Sequence, residues 1–178
     1  MKALSSVPLT ILTLLAFVAG TLASALKGKK HKNAFFSGVE SPGEITTPGQ
    51  TGTEGDMLLI RGMVQHAQDN TDDSRTQGNL TLEANACLDP ATSLGPLWGT
   101  FTLENPGGKW LAAWIGQKTA RGTVIHAMGY GMGTYKDLMA TWTYTRIGPD
   151  PQTPLKIRGF IVRNTQPNSL HEKPGSNI

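Results

Sequence analysis

A single cysteine, Cys87, stands in a chain of 178 residues, which excludes an internal disulfide framework and any zinc finger. Charge is also scarce, at 16% of residues, while 38% are hydrophobic, and this balance argues against disorder. The 21 glycines show no G-X-Y period, which excludes collagen. No P-loop and no nucleophile elbow with a Ser-His-Asp order occurs, so no catalytic signature stands out. Past the N-terminus no apolar run is long enough to cross a membrane as a helix.

The basic pI of about 9.1 invites a nucleic-acid reading. The position of the charges removes it. Lys2 belongs to a leader-like segment, and Lys27, Lys29, Lys30 and Lys32 form one run with His31. Without these five lysines the chain has more acidic than basic residues. The run reads as a solvated tail, with an anionic lipid or polymer as the alternative partner. No nucleic-acid partner is expected.

What is present at the N-terminus is an address. Lys2 gives a positive n-region, Leu9 to Ala19 an apolar h-region, and Ala23-Ser24-Ala25 the small residues of a cleavage site. Residues 1–25 are therefore expected to be a signal peptide, cleaved after Ala25, of a secreted protein with no stable membrane span. A retained anchor is the alternative, because lysines directly after the site favour the cytoplasmic side. Asn79-Leu80-Thr81 is a glycosylation sequon. Cys87 reads as a small, half-buried residue at a strand end.

Residues 26–56 are Gly-, Pro- and Thr-rich and read as a linker, with a first strand near 35–40. Residues 57–164 read as an all-β domain and 165–178 as a disordered tail. Leu80, Leu82, Ala84 and Ala86 alternate with polar residues, the period of a half-buried antiparallel strand. Leu58, Ile60, Gly62, Val64 and His66 share one face of the preceding strand. Asp69 to Ser74 reads as the turn between the two, and Asn105-Pro106-Gly107-Gly108 as a hairpin turn. Seven or eight closely spaced strands predict an antiparallel up-and-down β-barrel of about eight strands, which closure leaves without edges. A two-sheet β-sandwich is the alternative.

Trp110 and Trp114 lie four apart with Ala112 between them, so on a strand all three share a face. Trp98 sits on the hairpin partner, and Trp142 and Tyr144 share a face of a later strand. Small barrels are filled by such rings or hold one small ligand. Candidate ligand-binding residues are Trp98, Trp110, Trp114, His126, Tyr130, Tyr135, Trp142 and His66. The opposite face of the Trp110 strand is also apolar, at Leu111, Ala113 and Ile115, so either the N-terminal segment covers it or another subunit does, in a homo-oligomer (a dimer or trimer). Glycines 129, 131 and 133 alternate and clear one strand face; they lack the spacing and following helix of a nucleotide loop. Two histidines on different strands, without clustered carboxylates or thiols, give no metal site. No cofactor is expected, and catalysis is left open. Asp72, Asp73 and Arg75 form a candidate turn-capping ion pair.

The stretch from Asp73-Ser74-Arg75 through Trp98-Gly99-Thr100-Phe101, Gly107-Gly108-Lys109-Trp110, Trp114-Ile115-Gly116 and Gly129-Tyr130-Gly131-Met132-Gly133-Thr134-Tyr135-Lys136 to Gly159 resembles an uncharacterised group of small secreted β-proteins. More loosely, it is similar to the allene oxide cyclase and dirigent type of barrel. The resemblance covers about residues 57–163. It implies an eight-stranded barrel, often trimeric, whose apolar cavity steers a reactive small molecule. It supplies no catalytic residue, because no active-site motif of those families is matched. Avidin-like barrels share the Gly-Thr and Trp-rich character more weakly. Three functions follow as expectations: a secreted barrel binding a small apolar or aromatic molecule, a cyclase or isomerase using the same cavity, or a structural interaction module.

Overall fold

A computed structural model of the chain describes residues 34–148 and 150–164. The expected leader, its cleavage site, the lysine run and the tail from residue 165 lie outside these residues. Nine strands follow in order: β1 Ala34–Thr47, β2 Gln50–Glu54, β3 Met57–Thr71, β4 Gly78–Leu88, β5 Gly95–Asn105, β6 Gly108–Thr119, β7 Gly122–Gly133, β8 Leu138–Ile147 and β9 Leu155–Arg163. Among the described residues there is no helix.

Every strand pair is antiparallel and sequential neighbours pair from β3 to β9. The ring closes on β1, which pairs with β9 through Ala34–Glu40 and with β3 through Gly38–Thr47. The result is a closed, eight-stranded antiparallel barrel rather than a sandwich. β2 lies outside the ring and continues the line of β1 along β3, from Gln50 opposite Arg61 to Glu54 opposite Met57. Closure satisfies the backbone groups that an open sheet would leave at its edges.

The sheet begins much earlier than Met57. The Gly- and Thr-rich stretch expected to be mostly linker supplies β1 and β2, and the strand near residues 35–40 runs on to Thr47. Few large apolar side chains are needed here, because β1 is held by two ladders at once. Its inner face carries Ala34, Phe36, Gly38 and Glu40 before the register becomes irregular past Pro42.

The alternation of β4 survives intact, with Leu80, Ala84, Ala86 and Leu88 buried. That of β3 does not. A bulge between Ile60 and Met63 is centred on Gly62, whose φ of 67° suits glycine and whose N–H donates to Asn85 Oδ1 at 3.1 Å. The extra residue reverses the facing, so Ile60, Met63 and Gln65 all line the interior while Val64 and His66 turn outward. The shared face expected for Leu58, Ile60, Val64 and His66 is thereby split. β3 also runs to Thr71, beyond the expected turn start at Asp69, and the turn occupies residues 72–77. There Asp73 and Arg75 do pair, Nη2 to Oδ2 at 2.5 Å.

The interior has two unlike halves. Toward the end formed by the 72–77 turn and the β5–β6 hairpin, rings fill the barrel. Trp142 meets Phe36, Phe101 and Trp110 edge-on, with centroids 6.0, 5.3 and 5.6 Å apart. Ala112, Gly129 and Ala140 stand side by side across β6, β7 and β8, and their small size leaves the volume these rings occupy. Toward the opposite end the inward side chains are smaller or polar, and the barrel is hollow.

Candidate functional site

The hollow half is a cavity of about 550 Å³. Its floor is Leu80, Phe101 and Trp114, the lower surface of the aromatic plug. Leu82, Leu97, Ile125 and Leu155 form apolar walls, and the loops at residues 92–94 and 118–123 and around Gly148 border the mouth. Asp89 holds the first of these loops, accepting bonds from the Ala91 and Thr92 backbone N–H groups and from Thr92 Oγ1. The volume lies within the ~300–1,000 Å³ typical of small-molecule sites.

Gln65, Asn85, Lys118 and three threonines are spread around this wall, whereas Glu40, Tyr144 and Arg146 gather on β1 and β8. Glu40 of β1 is the direct cross-strand partner of Asp69 of β3, both on the inner face. Tyr144 of β8 donates its hydroxyl to Asp69 Oδ2 at 2.9 Å. Asp69 is 0% exposed, and its Oδ1 has no hydrogen-bond partner. Glu40, Tyr144 and Arg146 reach the cavity, and Asp69 lies behind them. Arg146 is anchored at the mouth by its Nε, which donates to the Thr153 carbonyl at 2.7 Å.

Electrostatics follow from this arrangement. Burial pushes the Glu40 carboxyl up to about 7, and the Arg146 guanidinium opposes the shift. Glu40 is half-exposed because the cavity reaches it, yet protein surrounds it on its remaining sides. Burial also raises Asp69 well above the usual carboxylate range; the Glu40 charge adds to this and the Tyr144 bond works against it. Burial, then the two carboxyls, hold the Tyr144 hydroxyl well above its ordinary value. Burial lowers Arg146, with Glu40 and Asp150 opposing.

The residues singled out from the sequence divide sharply. Trp114 forms part of the cavity floor. Trp110 and Trp142 are fully buried in the plug, where they fill space and offer no surface to a ligand. The Trp142 indole N–H, though buried, has no acceptor. Tyr135 follows β7 and stacks on Trp110 at the closed end, away from the cavity. Trp98 and Tyr130 are on the outside, a correction to their expected place as interior ligand contacts, and so are His126 and His66, whose facing the sequence left open between core and surface. Trp98 aligns with Ile115 and His126 across three strands, in a shallow outer groove. Tyr130 is 45% exposed. His126 and His66 are exposed and sit beside threonines, with Nδ1 3.2 Å from Thr143 Oγ1 and 3.3 Å from Thr81 Oγ1 respectively.

The outer face of β6 is apolar at Leu111, Ala113 and Ile115, and apolar side chains of β7 lie beside it. Leu111, Val124, Tyr130 and Met132 are all more than two-fifths exposed. Cys87 is half-buried at the end of β4.

The ionisable residues of the cavity were absent from the sequence candidates. Glu40 falls at the end of the strand expected near 35–40, to which no partner strand was assigned, and Asp69 in the stretch read as turn. One signal was available: on a strand, Phe36, Gly38 and Glu40 share a face, which puts a carboxylate beside a core ring. Against known proteins, the chain matches no protein-family model, no curated protein and no solved structure.

Proposed function

We propose that the barrel binds one small apolar or aromatic molecule in the cavity at its open end. The observation that carries this reading is the half-filled interior: a 550 Å³ apolar hollow sits directly on a fully packed aromatic plug. Packed protein interiors leave few voids larger than a water molecule, so a hollow of this size is a feature the sequence maintains. Trp114 in its floor is a natural reporter.

N-phenylnaphthylamine, a neutral apolar fluorophore, tests the reading. It is expected to brighten on binding and to take energy from Trp114. Ala86 lines the cavity from β4. Ala86→Phe is expected to weaken binding at least about tenfold by occupying the volume, with the far-ultraviolet spectrum unchanged. Equal binding by both proteins would place the probe elsewhere and overturn the proposal.

A second reading, conversion of a flexible molecule by cyclisation or isomerisation in the same cavity, is favoured by the Glu40, Tyr144 and Arg146 groups in the wall. Mass spectrometry of small molecules before and after incubation separates the two: binding returns them unchanged, whereas conversion yields an isomer of equal mass and altered retention. We further infer self-association through the outer face of β6 and β7, where Leu111 is 44% exposed. Light scattering is expected to give a mass above that of one chain, falling on Leu111→Glu. The leader-like residues 1–25 support a secreted protein, and N-terminal sequencing of the exported chain is expected to begin at Leu26.

A further inference from the structure

We propose that the Glu40 carboxyl, backed by Asp69, is the polar anchor of the cavity and donates a hydrogen bond to the carbonyl oxygen of a neutral, apolar ligand. This rests on the cavity being a ligand site and adds the chemical class it takes.

The geometry narrows the choice. Glu40 and Asp69 face each other directly across the β1–β3 ladder inside the barrel. Directly opposed like charges are destabilising on any sheet, and more so where water is excluded. The two carboxyls therefore cannot both be ionised cheaply. Tyr144 already donates a hydrogen bond to Asp69 Oδ2, and the buried Oδ1 has no donor among the described residues. Protonating both carboxyls relieves both problems: Asp69 then has a proton on Oδ1 to offer the Glu40 carbonyl oxygen, and the Glu40 O–H is left for the cavity. The outer member of the pair, Glu40, has no side-chain hydrogen bond among the described residues, and its carboxyl opens on the cavity.

The surroundings of Glu40 decide what that carboxyl meets. From β3 it faces Asp69, from β8 Tyr144 and Arg146, and from β9 the apolar Leu155. Asp150 acts on Arg146 from the β8–β9 loop, and Lys118 of β6 lines the same cavity. Two cations near the mouth disfavour a positively charged ligand. The apolar walls disfavour a fully charged one of either sign. A neutral molecule with one acceptor oxygen matches a protonated carboxyl at the end of an apolar hollow. Burial holds Glu40 protonated up to about pH 7, so the anchor works at and below neutrality. Above that the ionised carboxylate repels a carbonyl oxygen.

Two fluorescent probes of similar size test this on the full chain: prodan, which carries a ketone, and N-phenylnaphthylamine, which has no carbonyl. Prodan is expected to bind about tenfold more weakly at about pH 8.5 than at about pH 5.5, while N-phenylnaphthylamine changes little. Glu40→Leu is expected to abolish the pH dependence of prodan, while N-phenylnaphthylamine binding, whatever its new affinity, stays independent of pH. Glu40→Gln retains an N–H donor that does not titrate, so it is expected to keep prodan binding but flatten its pH profile. Far-ultraviolet spectra and unfolding midpoints verify that each variant is folded. If both probes bind and Glu40→Leu leaves the prodan profile unchanged, the anchor is overturned and the cavity stands. If neither probe binds in the cavity, as judged by Ala86→Phe, the ligand site and the anchor fall together.

Discussion

Trp110 stacks on Tyr135 with ring centroids 5.3 Å apart, and each ring sends its polar atom to a different loop. Trp110 Nε1 donates to the Arg75 carbonyl at 2.7 Å, and Tyr135 Oη donates to Asn105 Oδ1 at 2.7 Å. Asn105 in turn donates its amide to the carbonyls of Ser74, Arg75 and Gln77. Three connections that are remote in sequence are thus tied over the aromatic plug. The opposite end has no comparable lock, and there the cavity opens. The asymmetry makes one end structural and the other available for binding.

Asn105→Ala removes the hub of that lock and leaves several loop carbonyls without partners. It is expected to lower stability by about 2–3 kcal/mol in urea unfolding. Tyr135→Phe loses one hydrogen bond and keeps the stacking, for a cost of about 1 kcal/mol. Neither change touches the cavity, so N-phenylnaphthylamine affinity is expected to stay within about twofold of wild type.

Two glycines of the sheet are needed for opposite reasons. A Cβ on Gly62 would meet nothing within 4 Å, but its φ of 67° is unfavourable for other residues. Gly62→Ala is therefore expected to cost about 1–2 kcal/mol through the backbone alone. A Cβ on Gly129 would stand 2.7 Å from the Ala112 Cβ and 2.6 Å from the Leu111 carbonyl oxygen. Gly129→Ala is expected to cost more, about 2–3 kcal/mol, by forcing β6 and β7 apart. Ala112→Gly is expected to recover part of the loss in Gly129→Ala and none in Gly62→Ala. A double-mutant cycle measures this coupling.

Those glycines also mark what was legible in the sequence. The all-β class, the closed meander and the inward faces of β4, β6 and β8 followed from period-two alternation and turn chemistry. The face of Trp110, Ala112 and Trp114 was readable because nothing interrupts β6. β3 was misread because a bulge at Gly62 carries no period of its own, and one extra residue moves His66 to the other side. β1 was foreseen only near residues 35–40, because its stability comes from ladders on both sides, which composition does not record. The carboxyl pair was missed because Glu40 ended that expected strand with no partner assigned and Asp69 stood at an apparent turn, and only barrel closure makes them neighbours.

Among the described residues the charge of Arg146 acts on Glu40, and it holds the Glu40 midpoint below where burial alone would put it. Arg146→Met is expected to move that midpoint upward, above about 7. Carbon-detected NMR titration of the Glu40 side-chain carboxyl measures it. The substitution also frees the Thr153 carbonyl, so faster amide exchange is expected in residues 150–154. A Glu40 midpoint that stays put or falls would show that the guanidinium does not stabilise the Glu40 carboxylate.

Stability should fall as the solution is made more alkaline between about pH 4.5 and 7. In the folded chain Glu40 keeps its proton up to about 7, whereas an unfolded glutamate releases it near 4.5. The folded state therefore binds more protons across that window, and each step up in pH favours unfolding. The raised Asp69 acts in the same direction. Asp72, Asp73 and Asp89 act oppositely. Bonds from Ser37, Arg75 and Thr92 respectively hold them below the usual carboxylate range, so their contribution is present above about pH 4 and is lost as pH falls. The two trends place the stability maximum near about pH 5. From there to about pH 8 a loss of roughly 1–2 kcal/mol is expected, allowing for the partial exposure of Glu40. Glu40→Gln removes one of the two protons concerned, so its unfolding free energy is expected to decline less steeply over the same range. Chemical denaturation at a series of pH values measures both slopes. A wild-type protein equally stable at about pH 5 and pH 8, or a Glu40→Gln slope no shallower than wild type, would mean that the pair is fully ionised in the folded barrel.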